Sequence, residues 1–161
     1  MEKASEIERA DALNFLRENT TAVIATSFND EPSASTVYSF VDDEFNFYFI
    51  TTRNTSKYIN LQMNPQAAVV VGTGPRHISV QAKGVAHLIA DEAERDRILA
   101  ILTGIRERAK DPSMLWPIEQ LSNFKDRNKV AFMIAPTLLM YMNMDDAKHS
   151  GTMGNEFMQI I

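Results

Sequence analysis

Residues Thr51 to Lys57, reading Thr-Thr-Arg-Asn-Thr-Ser-Lys, gather hydroxyls and a lysine where a strand runs out and a helix is expected to begin. That combination suits an anion. The free N–H groups and positive dipole end of a helix start point where the side chains of its first turn point. A phosphate monoester carries close to two negative charges, and holding it out of water takes several donors and a cation. Thr51, Thr52, Thr55 and Ser56 offer hydroxyls, Lys57 offers a point charge, and Arg53 lies one turn away. The residues alone leave a second reading open, a solvated loop in which Thr55 or Ser56 caps the helix and Lys57 faces water.

A second group sits on strands. Ser35-Thr36-Val37 on one strand, and Ser79 and Gln81 on another, would line a barrel wall with small hydroxyls and an amide. Such groups hydrogen-bond a flat heteroaromatic ring without filling its space. A polar strand face turned to solvent is the alternative. Other chemistries find no support. The chain has no cysteine, which excludes disulfides, thiolate metal sites and cysteine nucleophiles. His77, His87 and His149 are too scattered for a metal cage. No phosphate loop, G-x-G-x-x-G or G-x-S-x-G motif occurs. A formal net charge of −5 without a basic stripe argues against nucleic-acid binding. Trp116 reads as a core or interface residue.

The elements that must position these residues follow from local pattern. Ser5-Glu6-Ile7-Glu8 is a capping box, predicting a helix to about Asn19. Thr20–Phe28, Ser33–Val41 and Phe45–Thr51 read as three strands of an antiparallel meander, with Asn29-Asp30-Glu31-Pro32 and Asp42-Asp43-Glu44 as turns. A short helix with Tyr58 and Leu61 at helical spacing stops at Asn64-Pro65, and the strand Ala67–Val71 ends at Gly72. A long strand from His77 to Ile89 places Ser79, Gln81 and Lys83 on one face, and Gly84 within it predicts a bulge or a close approach. Asp91 to Glu94 is a second capping box, opening a helix to about Arg108. Lys129–Met142 is the last long strand, interrupted at Pro136. Six strands with outlying helices predict a mainly β fold with α, a six-stranded antiparallel barrel.

A chain of 161 residues is expected to form a single domain spanning residues 1–161, with the tail from Asp145 left open between docking on its own core and on a partner subunit. The N-terminus lacks an apolar signal core and no run is long enough to cross a bilayer, so a cytoplasmic protein is expected.

In their order and spacing, F-x-F-I-T-T-x-x-x-S-K-Y-x-x-L-x-x-N-P-x-A-A-V from Phe47 to Val69 and V-x-x-x-G-x-A from Val80 to Ala86 resemble the pyridoxamine 5′-phosphate oxidase-like FMN-binding split barrels. The closer likeness is to the short general-stress and flavin-reductase-like members. The resemblance implies a split barrel, a homodimer with FMN at the subunit interface, and flavin-dependent oxidoreductase activity. It matches Thr51, Ser56 and Lys57 to phosphate contacts, and Ser35, Thr36 and Val37 to contacts with the ring and ribityl chain. Departures are specific. Ser56 stands where the family oxidase has an arginine, Ser35 to Phe40 carry no charge where it has a basic pair, and Ser79 stands where it has a glutamine, with Gln81 on the same face. Fewer cations imply weaker FMN binding or help from Arg53 or Arg76. The oxidase's tyrosine–arginine–serine set and its C-terminal arginine–histidine motif have no counterpart, so oxidation of pyridoxamine phosphate does not carry over. A non-catalytic flavin- or haem-binding module and a reductase using the deazaflavin F420 are the competing expectations.

Overall fold

The computed structural model describes residues 4–72, 77–107, 128–143 and 157–161. Helix α1 (Glu6–Glu18) opens on the expected capping box, the Ser5 hydroxyl accepting from the Glu8 amide at 3.3 Å while the Ser5 amide donates to the Glu8 carboxylate at 2.6 Å. It buries Ala12, Phe15 and Leu16. Strands β1 (Thr21–Phe28) and β2 (Glu31–Val41) meet at a two-residue turn, Asn29-Asp30, whose φ values of 51° and 62° give the twist a tight hairpin needs. The turn is shorter than expected because Glu31 and Pro32 already belong to β2.

Strand β3 (Phe47–Thr52) starts two residues later than its aromatic content predicts. The Asp42 carboxylate accepts from the Glu44 and Asn46 amides and from the Tyr48 hydroxyl, holding a turn in which Phe45 takes φ 67° while its ring stays buried. Next come α2 (Ser56–Met63), β4 (Gln66–Val71), β5 (Ile78–Leu88), α3 (Glu92–Glu107), β6 (Lys129–Asn143) and β7 (Phe157–Gln159). Sheet order is β3-β2-β1-β4-β5-β6, and β3–β6 pairing closes it into a six-stranded antiparallel barrel flanked by three described helices.

Alternation fills the barrel with Ile24, Phe47, Phe49, Val69, Val71, Phe132, Ile134 and Leu139, with Phe49 and Phe132 stacked at 5.6 Å. On the outside, Ile98 and Leu102 of α3 cover Ala131, with Tyr48 and Ile50 packed beside them. The predicted bulge falls between Lys83 and Gly84, where Gly84 faces Pro136 and Lys83 faces Leu138, leaving Thr137 as the extra residue. A Cβ on Gly84 would lie within van der Waals distance of the Ala135 carbonyl and 2.9 Å from Pro136 Cα. Glycine permits that approach, so β6 continues through its proline.

The C-terminal end docks on its own chain. β7 pairs with β6 at Met140–Met142, Ile160 is buried, and the Arg9 guanidinium donates to the Ile160 carbonyl. Among the described residues no helix is long and apolar enough to cross a membrane. Arg76, Trp116 and His149 lie outside the described residues.

Candidate functional site

β2 and β3 pair only where Ser39–Val41 faces Phe47–Phe49. Beyond that point they part, β3 staying with β6 as far as Thr52 while β2 stays with β1 back to Glu31. The Ser39 amide donates to the Thr20 carbonyl, so odd-numbered residues of β2 turn their peptide groups toward β1 and even-numbered residues turn theirs into the gap. Ala34, Thr36 and Tyr38 thus present N–H and C=O groups along an edge that no described strand covers. Pro32 sits on the same edge, where its missing N–H costs no ladder bond.

Helix α2 lies at this gap, packed against β1, β2 and β3. Asn60 anchors it by donating its amide N–H to the buried Thr26 hydroxyl at 3.1 Å, and Asn64 donates to the Ser27 carbonyl at 3.1 Å. The N-cap is Thr55, whose hydroxyl accepts from the Tyr58 amide at 3.2 Å and donates to the Thr52 carbonyl at 2.9 Å. With that proton committed, Thr51, 2.9 Å away, is the donor to Thr55. Thr52 donates to the Asn54 side chain at 2.7 Å. Three of the hydroxyls expected to serve an anion therefore shape the turn.

Ser56 and Lys57 are differently placed. The Ser56 side chain is exposed. At about 100° per residue, Lys57 falls between Asn60 and Leu61, the two buried residues of α2, so its stem runs along the buried face. Lys57 is half-buried, and burial alone pulls its ammonium below the ordinary lysine value. Among the described residues no carboxylate pairs with it. Arg53 is held on the other flank of the helix, donating to the Tyr58 hydroxyl at 2.8 Å with its guanidinium 5.5 Å above the ring.

A cleft of about 250 Å³ opens beside Ser56 and Asn60, which lie one helical turn apart on a single face. Phe28 and Pro32 supply apolar lining, and Asn29, Glu31 and Ser33 complete it. Sequence reasoning missed Asn60 and the open edge of β2. The first had a usable signal in its four-residue spacing from Ser56, whereas the second depends on where two strands part.

Ser35 and Val37 face inward, opposite Ile24 and Ala22 of β1, and Ser35 shares that face with Ser33 of the cleft. Thr36 turns outward opposite Val23. On the same outer row stand Val70 and Gln81, the latter separated from Thr36 by three strand spacings, roughly 14 Å at about 4.8 Å each. Ser79 lies on the outer face with Gln81, opposite Met142. Within one chain the structure therefore brings Ser35, Thr51, Thr52, Ser56 and Lys57 to one end of the barrel and leaves Ser79 and Gln81 on a different wall. His77 and His87 are exposed, and among the described residues no group of metal-ligating side chains converges.

The sequence model for the pyridoxamine 5′-phosphate oxidase family matches residues 9–136. No curated protein matches the chain significantly. Among solved structures, general stress protein 26 from Bacillus anthracis str. Sterne is similar over 83% of this chain and 92% of its own, with 21% identity and a TM-score of 0.62. A FAD-binding protein from Mesorhizobium loti is similar over 84% of this chain and 92% of its own, at 18% identity and a TM-score of 0.59. An F420 reductase is similar over 78% of this chain and 93% of its own, at 20% identity and a TM-score of 0.57. At these identities the likeness is one of fold.

Proposed function

The chain belongs to the pyridoxamine 5′-phosphate oxidase family, and from that premise we propose that it is a flavoprotein oxidoreductase holding FMN, or a cofactor built on the same kind of ring, chain and phosphate, in the gap between β2 and α2. The observation that carries this reading is Lys57, a half-buried ammonium with no carboxylate partner among the described residues, at the first turn of α2. The donor set fits a flavin phosphate. Thr51, Thr52 and Thr55 fix the turn, while Ser56 and Lys57 at the start of α2 are left to meet the anion. The open edge of β2 at Ala34, Thr36 and Tyr38 offers alternating donors and acceptors, which is what the polar rim of a flavin or deazaflavin ring requires.

Bound flavin supplies hydride or single-electron transfer. The chain's own groups bind and orient the ring, and no side chain is assigned as acid or base. Ser79 and Gln81 are too far round the barrel to serve the same site, so we assign them to the site of a second copy in a homodimer whose outer sheet faces meet. The family membership shows the fold, and the flavin class of cofactor is the reading proposed from it. Pyridoxamine phosphate is not the proposed substrate, because the side chains that the oxidase uses for it have no counterpart.

The test is titration of the purified protein with FMN, followed by flavin fluorescence. Saturable binding at one flavin per chain supports the reading, and failure of the flavin to bind removes it. Reduction of the loaded protein by NADH or NADPH then separates an oxidoreductase from a module that only binds flavin.

A further inference from the structure

Helix α2 spans eight residues, about two turns, which is too short to hold its shape without packing. Only Asn60 and Leu61 of it are buried. The bonds at its start, Thr51 to Thr55 and Thr55 to Thr52 and Tyr58, stay within residues 51–58. They shape the turn but do not seat the helix on the barrel. Leu61 joins the barrel core, yet an apolar contact has no preferred direction. Asn64 ties down the far end through the Ser27 carbonyl. The rotation of the helix therefore falls to the Asn60 amide, which donates to the Thr26 hydroxyl at 3.1 Å with both residues buried. Thr26 is itself out of pattern. The buried row of β1 runs Ala22, Ile24, Thr26, so a hydroxyl stands where alternation calls for an apolar side chain.

We propose that Thr26 and Asn60 are positioning residues, whose buried hydrogen bond sets the rotation of α2 and with it the place of the Lys57 ammonium. Lys57 stands three residues before Asn60 and four before Leu61, so it shares their face one turn nearer the helix start. A swing of roughly 20° about the helix axis carries an atom at the outer radius of about 6 Å through about 2 Å. That exceeds the tolerance of a charge-assisted contact, which is made at about 2.7–2.9 Å. A directed bond holds the angle, whereas the packing of Leu61 alone does not. Asn60 also forms part of the cleft wall, but Thr26 is buried and outside it. Thr26 therefore acts on a bound anion only through the helix it holds. The same seat keeps the Lys57 stem covered, and burial is the sole cause that lowers its ammonium from the ordinary lysine value. The effect on cofactor affinity rests on the flavoprotein reading above, while the effect on Lys57 does not.

The experiment uses the full chain and two readouts, FMN affinity by fluorescence and the Lys57 titration in the flavin-free protein by NMR of methyl-labelled lysines, with K57A assigning the signal. T26V keeps the branched shape and removes the hydroxyl. It is expected to weaken FMN binding about fivefold, the equivalent of one neutral hydrogen bond. It should also raise the Lys57 titration toward the ordinary lysine value. T26S, which keeps the hydroxyl, is expected to match the wild type in both. S5A, which destabilises the chain far from α2, should move neither. In a K57A background T26V should have no further effect on affinity, because its effect passes through Lys57. T26V/N60L makes both partners apolar and so preserves stability where T26V alone does not fold. Its Lys57 titration should still be raised. Wild-type FMN affinity in T26V, or a Lys57 titration unmoved in T26V or T26V/N60L, overturns the proposal. T26V weakening K57A as much as the wild type also overturns it. If the wild type binds no FMN, the flavoprotein reading falls and the Lys57 titration alone decides the positioning role.

Discussion

Lys57 combines two properties that pull against each other. Its stem packs along the buried face of α2, while its ammonium has no carboxylate partner among the described residues to offset the lost hydration. Replacing it with alanine is expected to weaken flavin binding by about 10- to 100-fold, the range of one charge-assisted contact to phosphate, with little change in the thermal midpoint of the apo protein. The pH dependence has a defined sign. Burial lowers the folded-state value, so between that value and the ordinary lysine value the unfolded chain binds more protons, and apo stability rises with pH across that window. A bound phosphate favours the protonated form. Flavin affinity should therefore decline at alkaline pH, beginning below the range in which an exposed lysine titrates, and the decline should vanish in K57A. Titrations of both proteins between neutral pH and pH values in the ordinary lysine range check this. Lys57 was legible from sequence because its type and its place at a helix start suffice to suggest an anion. The inward commitment of the Thr51, Thr52 and Thr55 hydroxyls was not, since it depends on how the turn closes on itself.

Elements give a different kind of prediction, in which a single backbone position decides whether two strands remain in register. At Gly84 a methyl group would meet backbone atoms of Ala135 and Pro136, which cannot rotate away. G84A is expected to cost about 2–3 kcal/mol, at the upper end of overpacking penalties, by displacing the bulge that lets β6 pass its proline. Denaturant unfolding measures it. S5A removes the acceptor for the Glu8 amide and should cost about 1 kcal/mol, the usual loss of an N-cap, with no effect on flavin binding. Both features can be read locally. The Ser5–Glu8 box is a four-residue pattern, and a glycine in a run of strand residues needs a reason. Which residue of β6 bulges against Gly84 is a matter of pairing between segments more than fifty positions apart.

At the scale of the whole molecule, the outer wall formed by β1, β4 and β5 carries Val23, Val70 and Gln81 in one row, each half-buried. If a second copy covers this wall, light scattering in solution should give twice the chain mass of 18.2 kDa. V70D should then shift the protein toward monomer and weaken flavin binding together, because a buried carboxylate without a partner is costly at an interface. Loss of flavin from a V70D protein that stays dimeric would argue for a role in folding. The C-terminal segment is a further whole-molecule feature. Removing residues 157–161 strips Ile160 from the core and the Ile160 amide from the Leu139 carbonyl, and should cost about 2–4 kcal/mol in unfolding experiments.

The sequence by itself determined the order of the six barrel strands and the three described helices, the capping of α1, the strand with its special glycine and the gathering of hydroxyls and a lysine at the turn before α2. Each follows from interactions between residues a few positions apart, where residue type and spacing set the outcome. Tertiary structure decided the rest. The parting of β2 from β3 exposes the backbone of Ala34, Thr36 and Tyr38, and the packing of α2 against the β1–β2 hairpin forms the cleft beside Ser56. Closure of the barrel sends Gln81 to a wall that Ser35 does not share. These outcomes depend on register and on contacts between distant segments, which a barrel satisfies collectively and no short window of sequence records.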